Sequence, residues 1–304
     1  MNQPLPASQT KHLTNLSHPL TPPNQQINVT LNQISSIPSS DGSSDGSTGT
    51  TGTTLWLSSQ ILSLYLSSVL AASSATSKIE SLNAIQKGKK RVFELGGGIG
   101  YSTLNILSLG YGVTSTDIEP VLSKVLKPNV ENGKRTLKNN GFNIDDNDIQ
   151  IKGLDWCRIA KLYDDNTQKD GSITKVIPTE FDYLEKGFDI IIMSDTFYSL
   201  ELIEPLWKTL LFISLSSFDR SPPHDGNTTT NNNTSTGRYP VIYIGLERRD
   251  PKLIDTALEH GKRLKFDLKK INKSRLNKEI QSNWNKWNAD DWNDIEIWKC
   301  RYKP

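Results

Sequence analysis

The chain has 304 residues with 35 basic against 33 acidic side chains, a formal charge of +2. Charges this balanced exclude a general polyanion-binding role. Two cysteines exclude a disulfide framework and fit a reducing compartment, and the four histidines (12, 18, 224 and 260) lack metal-ligand spacing, so no metal site is expected.

Residues 1 to 50 are rich in Ser, Thr, Asn, Gln, Pro and Gly and poor in large apolar side chains. Such a segment cannot offset its ordering entropy by burial, so it is expected to be mostly disordered, apart from a short strand at "QINVTLNQI". It has no apolar core for a secretory signal and no arginine for a mitochondrial presequence. Residues 55 to 76, "LWLSSQILSLYLSSVLAASSAT", carry no charge. Ile61, Leu62, Tyr65, Leu66, Val69 and Leu70 repeat at helical spacing there, with Ser59, Ser63 and Ser67 opposite. That pattern predicts an amphipathic helix on a core rather than a membrane span.

Strand-like runs follow in a regular order: "RVFEL", "YGVTSTD", "DIQIKGLDW", "FDIIIMSD" and "PVIYIGLE". Helical patterns at about 101 to 109, 120 to 132, 199 to 213 and 251 to 262 separate most of them. This alternation predicts an α/β fold with a mostly parallel sheet and helices on both faces. A low-complexity piece at about 219 to 238 reads as a disordered surface insertion. Two last runs, "LKFDLKKI" and "DIEIWKC", show no helix between them and are expected to close the sheet as an antiparallel pair.

The first strand runs straight into "ELGGGIG". Glycine stands at 96, 97, 98 and 100, but Tyr101 rules out the G-x-G-x-x-G frame of a dinucleotide site. The frame that fits is E-x-G-x-G-x-G at Glu94, Gly96, Gly98 and Gly100. Without a pyrophosphate to hold, such a turn suits a nucleoside with an amino-acid tail: Gly96, Gly97 and Gly98 for close passage, and Glu94 as an acid near the ammonium. Asp117, closing the second strand, can accept both hydrogens of a ribose diol. The ligand this describes is S-adenosyl-L-methionine. Trp156, at the third strand end, is placed to stack on adenine, with Asp155 for an amino hydrogen; a core-capping tryptophan is the alternative.

With "GTTLW" (Gly52, Trp56), "STD" (Asp117), "LDW" (Trp156) and "SDTFY" (Asp195, Tyr198) also in place, the chain resembles the seven-strand protein-lysine methyltransferases of methyltransferase family 16 over about residues 50 to 301. "DIEPVLSKVLKPNVENG" and "GLERRD" add to the likeness. The resemblance implies a Rossmann-like seven-stranded methyltransferase sheet over 51 to 304, mostly parallel, with an antiparallel last strand. It implies cofactor contact by Trp56, Gly96 to Gly98, Asp117, Trp156 and Ser194, and acceptor contact by Asp195 and Tyr198. It further implies a cytoplasmic, monomeric enzyme that methylates a protein lysine, with the translation machinery and elongation factor 1A as expected partners and no nucleic acid or membrane. Another acceptor (a ribosomal protein, a protein N-terminus or a small-molecule amine) and an inactive binding scaffold are the competing readings. The low-complexity N-terminal region and the Asn/Thr insertion depart from the family pattern.

Methyl transfer from a sulfonium is an in-line displacement that needs aligned atoms and excluded water. A lysine nucleophile with its ordinary pKa of about 10.4 is neutral for well under ~1% of the time at pH 7, so a proton must leave before attack. Asp195 is suited to dock the ammonium and aim its lone pair, and Tyr198 to wall the channel. The alternative for Asp195 is a helix N-cap, and for Trp56 an apolar anchor. Trp207 reads as core and the basic run 269 to 278 as a solvated edge. The "ERRD" charges either meet the substrate or pair with each other.

Overall fold

A computed structural model describes residues 3–34, 51–80, 89–167, 177–218 and 238–304. The insertion expected at about 219 to 238 falls almost wholly outside these. After a 3-10 turn (Ala7–Gln9), the strands are β1 (Asn15–Pro19), β2 (Asn28–Asn32), β3 (Arg91–Leu95), β4 (Gly112–Asp117), β5 (Ile149–Gly153), β6 (Ile190–Ser194), β7 (Val241–Glu247), β8 (Phe266–Lys270) and β9 (Ile295–Tyr302). The helices are α1 (Leu57–Glu80), α2 (Tyr101–Ser108), α3 (Lys127–Asn139), α4 (Trp156–Asn166), α5 (Leu200–Phe218), α6 (Pro251–Arg263) and α7 (Lys273–Asn283).

Seven strands form one sheet in the order β5-β4-β3-β6-β7-β9-β8. All neighbours from β5 to β7 pair parallel, and β9 runs antiparallel to both β7 and β8. This is the Rossmann-like α/β sheet with an antiparallel last strand. β6 is an apolar run buried up to its last residue and β3 is buried beyond Arg91, with Glu94 its one buried charge, as parallel strands covered on both faces require. α1, α2, α3 and α7 cover one face; α4, α5 and α6 cover the other, around the fully buried Trp207, whose indole N–H donates to Ala257 O at 2.8 Å. Chain order reverses between β3 and β6, which opens a crevice at their carboxyl ends.

The N-terminal expectation is corrected over residues 3–34. β1 and β2 form an antiparallel hairpin that buries Leu16, Leu20, Ile27, Val29 and Leu31 against the α1–α3 face. Polar side chains hold its backbone. Asn129 exchanges bonds with Asn32 N (2.8 Å) and O (3.0 Å), and Asn105 Oδ1 accepts from Thr21 N at 2.7 Å. His18, kept neutral by burial with a pKa pushed down to about 4, bonds Gln60 at 2.8 Å. Pro4 O accepts from Trp287 Nε1 at 2.7 Å, and Gln3 bonds Asn285 at 2.6 Å. The apolar residues are few, but partners on the helices satisfy the polar ones. Leu31→Ala is expected to cost about 2–5 kcal/mol of unfolding free energy in a chemical denaturation series, because Leu31 is completely buried.

Three further expectations change. The serine side of α1 is not a solvent face: Ser63 and Ser67 are buried, and Ser59 and Ser63 both bond Ser102 of α2. No helix among the described residues is long and apolar enough to cross a membrane. A helix, α7, does lie between the last two strands; it buries only Leu276 and Ile280, too few positions to mark a period. α4 was hidden in the third strand run, where Asp155 caps its first turn by accepting from Cys157 N at 2.8 Å.

Candidate active site

A cavity of about 460 Å³ occupies the crevice, within the range of small-molecule sites. It is lined by Trp56, Gly96 to Gly98, Asp117, Asp155, Trp156, Ser194, Asp195 and Tyr198, so ten of the eleven residues given a contact role in the sequence converge on it. The parallel register explains why: Leu95 of β3 lies beside Thr116 of β4 and Met193 of β6, so the residues just beyond them meet at one edge.

Gly96 and Gly98 both adopt positive φ, +67° and +54°. A Cβ on Gly96 would sit 3.2 Å from Thr196 and 3.7 Å from the Trp156 ring, so glycine leaves a cradle between them. A Cβ on Gly98 would press on Gly52 O at 3.2 Å, because the 51–56 segment crosses directly over the turn and brings Trp56 to the cavity. Thr196 also lines the cavity, and its buried hydroxyl has no hydrogen-bond partner among the described residues.

Asp117 accepts from Gly98 N and Ile118 N, both at 2.8 Å, through different oxygens. Each oxygen keeps a lone pair for another donor. Burial raises its pKa to about 6, only partly countered by those two bonds. Trp156 opens α4 and lies 6.3 Å from the Tyr198 ring, so the two aromatic walls flank the cavity. Tyr198 is exposed (43%), as are Leu200 two residues further on (65%) and Ile118 on the cavity lining (50%).

Glu94 is the exception. It does not line the cavity; its carboxyl is buried and accepts from Thr103 Oγ1 and from Ser115 Oγ, the latter at 2.7 Å. Strand alternation turns it toward α2, on the same side as Val92, and Ser115 in turn lies tight beneath Gly97. Glu94 thus supports the turn from below. Burial raises its pKa to about 7 from 4.5. The folded protein therefore holds this proton more tightly than the unfolded chain. The stability this confers is complete below pH 4.5 and is lost as pH rises through about 7. Glu94→Gln, which fixes the neutral form, is expected to flatten that decline and raise the Tm at pH 8, as thermal melts across pH would show.

Asp195 follows β6 in the left-handed region, at φ +55°, which Asp tolerates better than most residues. It does not cap α5, which starts at Leu200. Its N–H donates to Gly245 O at 2.8 Å, and its carboxylate accepts from Glu247 N at 3.3 Å and from the Arg249 guanidinium. Arg249 lies over the Trp56 ring, 4.5 Å from its centroid. Of the other "ERRD" charges, Glu247 pairs with Arg249 at 3.5 Å, Arg248 pairs outside the motif with Glu296 and Asp255, and Asp250 caps α6. Arg249 is the site residue that the sequence left undecided.

The family model for lysine methyltransferases matches residues 43–217, more than half of the chain. The chain belongs to the lysine methyltransferase family. With that membership goes S-adenosylmethionine as methyl donor, and the glycine cradle, the unpartnered Thr196 hydroxyl and the free lone pairs of Asp117 fit it. No curated protein sequence matches this chain. Among solved structures it is similar to a protein assigned as a SAM-dependent methyltransferase from Streptococcus mutans (11% identity, 99% of this chain and 57% of that one, TM-score 0.44). It is also similar to a protein assigned as a transferase from Pyrococcus horikoshii (13%, 96% and 73%, 0.42). A glycopeptide N-methyltransferase complexed with sinefungin is a third (11%, 75% and 87%, 0.39). The chain thus spans little more than half the length of the Streptococcus mutans protein.

Proposed function

We propose that the protein is an S-adenosylmethionine-dependent protein-lysine N-methyltransferase, acting as a monomer in the cytoplasm on the translation machinery, with elongation factor 1A as first candidate. The observation that carries the lysine acceptor is the cation already lodged at the cavity. Arg249 shares the Asp195 carboxylate and lies on the Trp56 ring, which makes this end a built cation site. An incoming lysine ammonium matches the same two partners and displaces the guanidinium.

Bound S-adenosylmethionine supplies a methyl carbon on a positive sulfur. Asp117 takes the ribose hydroxyls, Gly96 to Gly98 let the amino-acid end pass close to backbone, and Trp156 flanks the base. Ser194 completes the floor at the end of β6. Asp195 holds the acceptor nitrogen by an N–H and aims it, which favours the charged form; the proton departs to water before attack. Tyr198 and Trp56 wall the channel and keep water from the reacting line.

The test is to incubate the protein and tritiated cofactor with lysate of cells lacking this gene. A labelled band that proves to be elongation factor 1A, methylated on lysine, is expected. A different labelled protein would replace the named partner; label confined to a small molecule would overturn the protein-lysine reading.

A further inference from the structure

The N-terminal segment brings a lysine of its own to the acceptor side of the cavity. Lys11 stands on the turn between Ala7–Gln9 and β1, and its Nζ lies 3.9 Å from the centroid of the Trp56 ring. Arg249 is over the same ring, and Asp195 and Glu247 are close enough to act on the Lys11 charge. An internal lysine therefore stands beside the aromatic residue and the carboxylate that build the cation site.

This placement is anchored. Gln33 is 3% exposed, and its Nε2 donates to Thr10 O and to Leu13 O, both at 2.8 Å. Its Oε1 accepts from Leu55 N, immediately before Trp56, at 2.7 Å. One buried amide thus fastens the turn around Lys11 to the segment that carries Trp56. Leu13 N closes the turn on Thr10 O at 3.0 Å, and Gln60 of α1 binds Ala7 N at 2.7 Å. The backbone at Lys11 is held, and only its long side chain has to swing from the ring into the cavity. Burial, then the nearby Arg249, lowers the Lys11 pKa, which enlarges the neutral fraction able to attack.

We infer that Lys11 is a self-methylation site, modified in the protein's own crevice with S-adenosylmethionine as donor. The inference rests on the proposed methyltransferase activity. After a proton leaves the ammonium to water, the Nζ lone pair forms a bond to the methyl carbon while the carbon–sulfur bond breaks. The electron pair of that bond stays on sulfur, and S-adenosylhomocysteine is released. Arg249 first yields Asp195, as it does for an external lysine. The methylated nitrogen protonates again and returns to the Trp56 face, which binds methylated ammonium well.

The full chain, incubated with S-adenosylmethionine and digested for peptide mass spectrometry, is expected to carry methyl on Lys11. The rate per molecule should not change on dilution, and the protein isolated from growing cells should carry the same mark. Lys11→Arg should lose it while binding S-adenosylhomocysteine in calorimetry as the parent does. A rate that falls with dilution would overturn modification within one chain. Label on a lysate protein with Lys11 unmodified would overturn the inference and leave the proposed function standing. No label on either, with S-adenosylhomocysteine still bound, would overturn both.

Discussion

Asp195→Asn is expected to lower kcat/KM for the protein acceptor by roughly 10- to 100-fold while leaving S-adenosylhomocysteine affinity within about twofold, since a hydrogen bond to a charged group is worth about 1.5–3 kcal/mol. Asparagine is the informative replacement because it also tolerates the left-handed backbone at φ +55°. It can still accept from Glu247 N, but it offers no charge to Arg249 or to an incoming ammonium. Asp195→Ala should be worse, because it adds a backbone cost of about 1–2 kcal/mol at that φ. Acceptor kinetics measured beside cofactor calorimetry separates the roles. An equal loss in both would make Asp195 a clamp between β6 and β7 and remove it from acceptor docking.

Asp117→Ala is expected to weaken S-adenosylhomocysteine by roughly 10²- to 10⁴-fold. On the proposed reading two charge-assisted bonds to the ribose, at about 1.5–3 kcal/mol each, would disappear together. Gly98 N also loses its acceptor in the free protein. The pH dependence carries the same signature. In the proposed binding mode ribose hydroxyls would donate to the carboxylate, so binding would prefer the ionised form, and the free protein protonates Asp117 at about pH 6. Affinity should be flat above that value and fall about tenfold per unit below it. Asp117→Asn should abolish the inflection and Glu94→Gln should keep it, because Glu94 has no face on the cavity. Calorimetry from pH 5 to 8 decides between them.

Parallel-strand logic made much of this site legible in advance. Once "ELGGGIG", "STD", "LDW" and "SDTFY" were placed at strand ends, a parallel register had to gather them on one edge. The rest is not legible in the sequence, for local reasons. Glu94 belongs to the right motif, but the phase of the pleat, not the motif, decides which face its carboxyl takes. The pairing of Arg249 with Asp195 depends on β6 and β7 being neighbours, a relation that spacing along the chain does not contain. The average composition of residues 1 to 50 masks the N-terminal hairpin. Its few apolar side chains suffice because Asn105, Asn129, Gln33 and Gln60 satisfy backbone and ring groups that would otherwise stay in water.

The insertion of β9 between β7 and β8 dictates an order of assembly. During synthesis the β7 edge has no neighbour until the 295–302 stretch leaves the ribosome, and β8, though made earlier, cannot join before it. The residues around Pro4 emerge near the start, yet their partner Trp287 appears almost three hundred residues later. Contacts at both ends of the domain are therefore completed late. A nascent chain stalled before β9 presents an open sheet edge, the kind of surface that chaperones hold and that aggregation exploits.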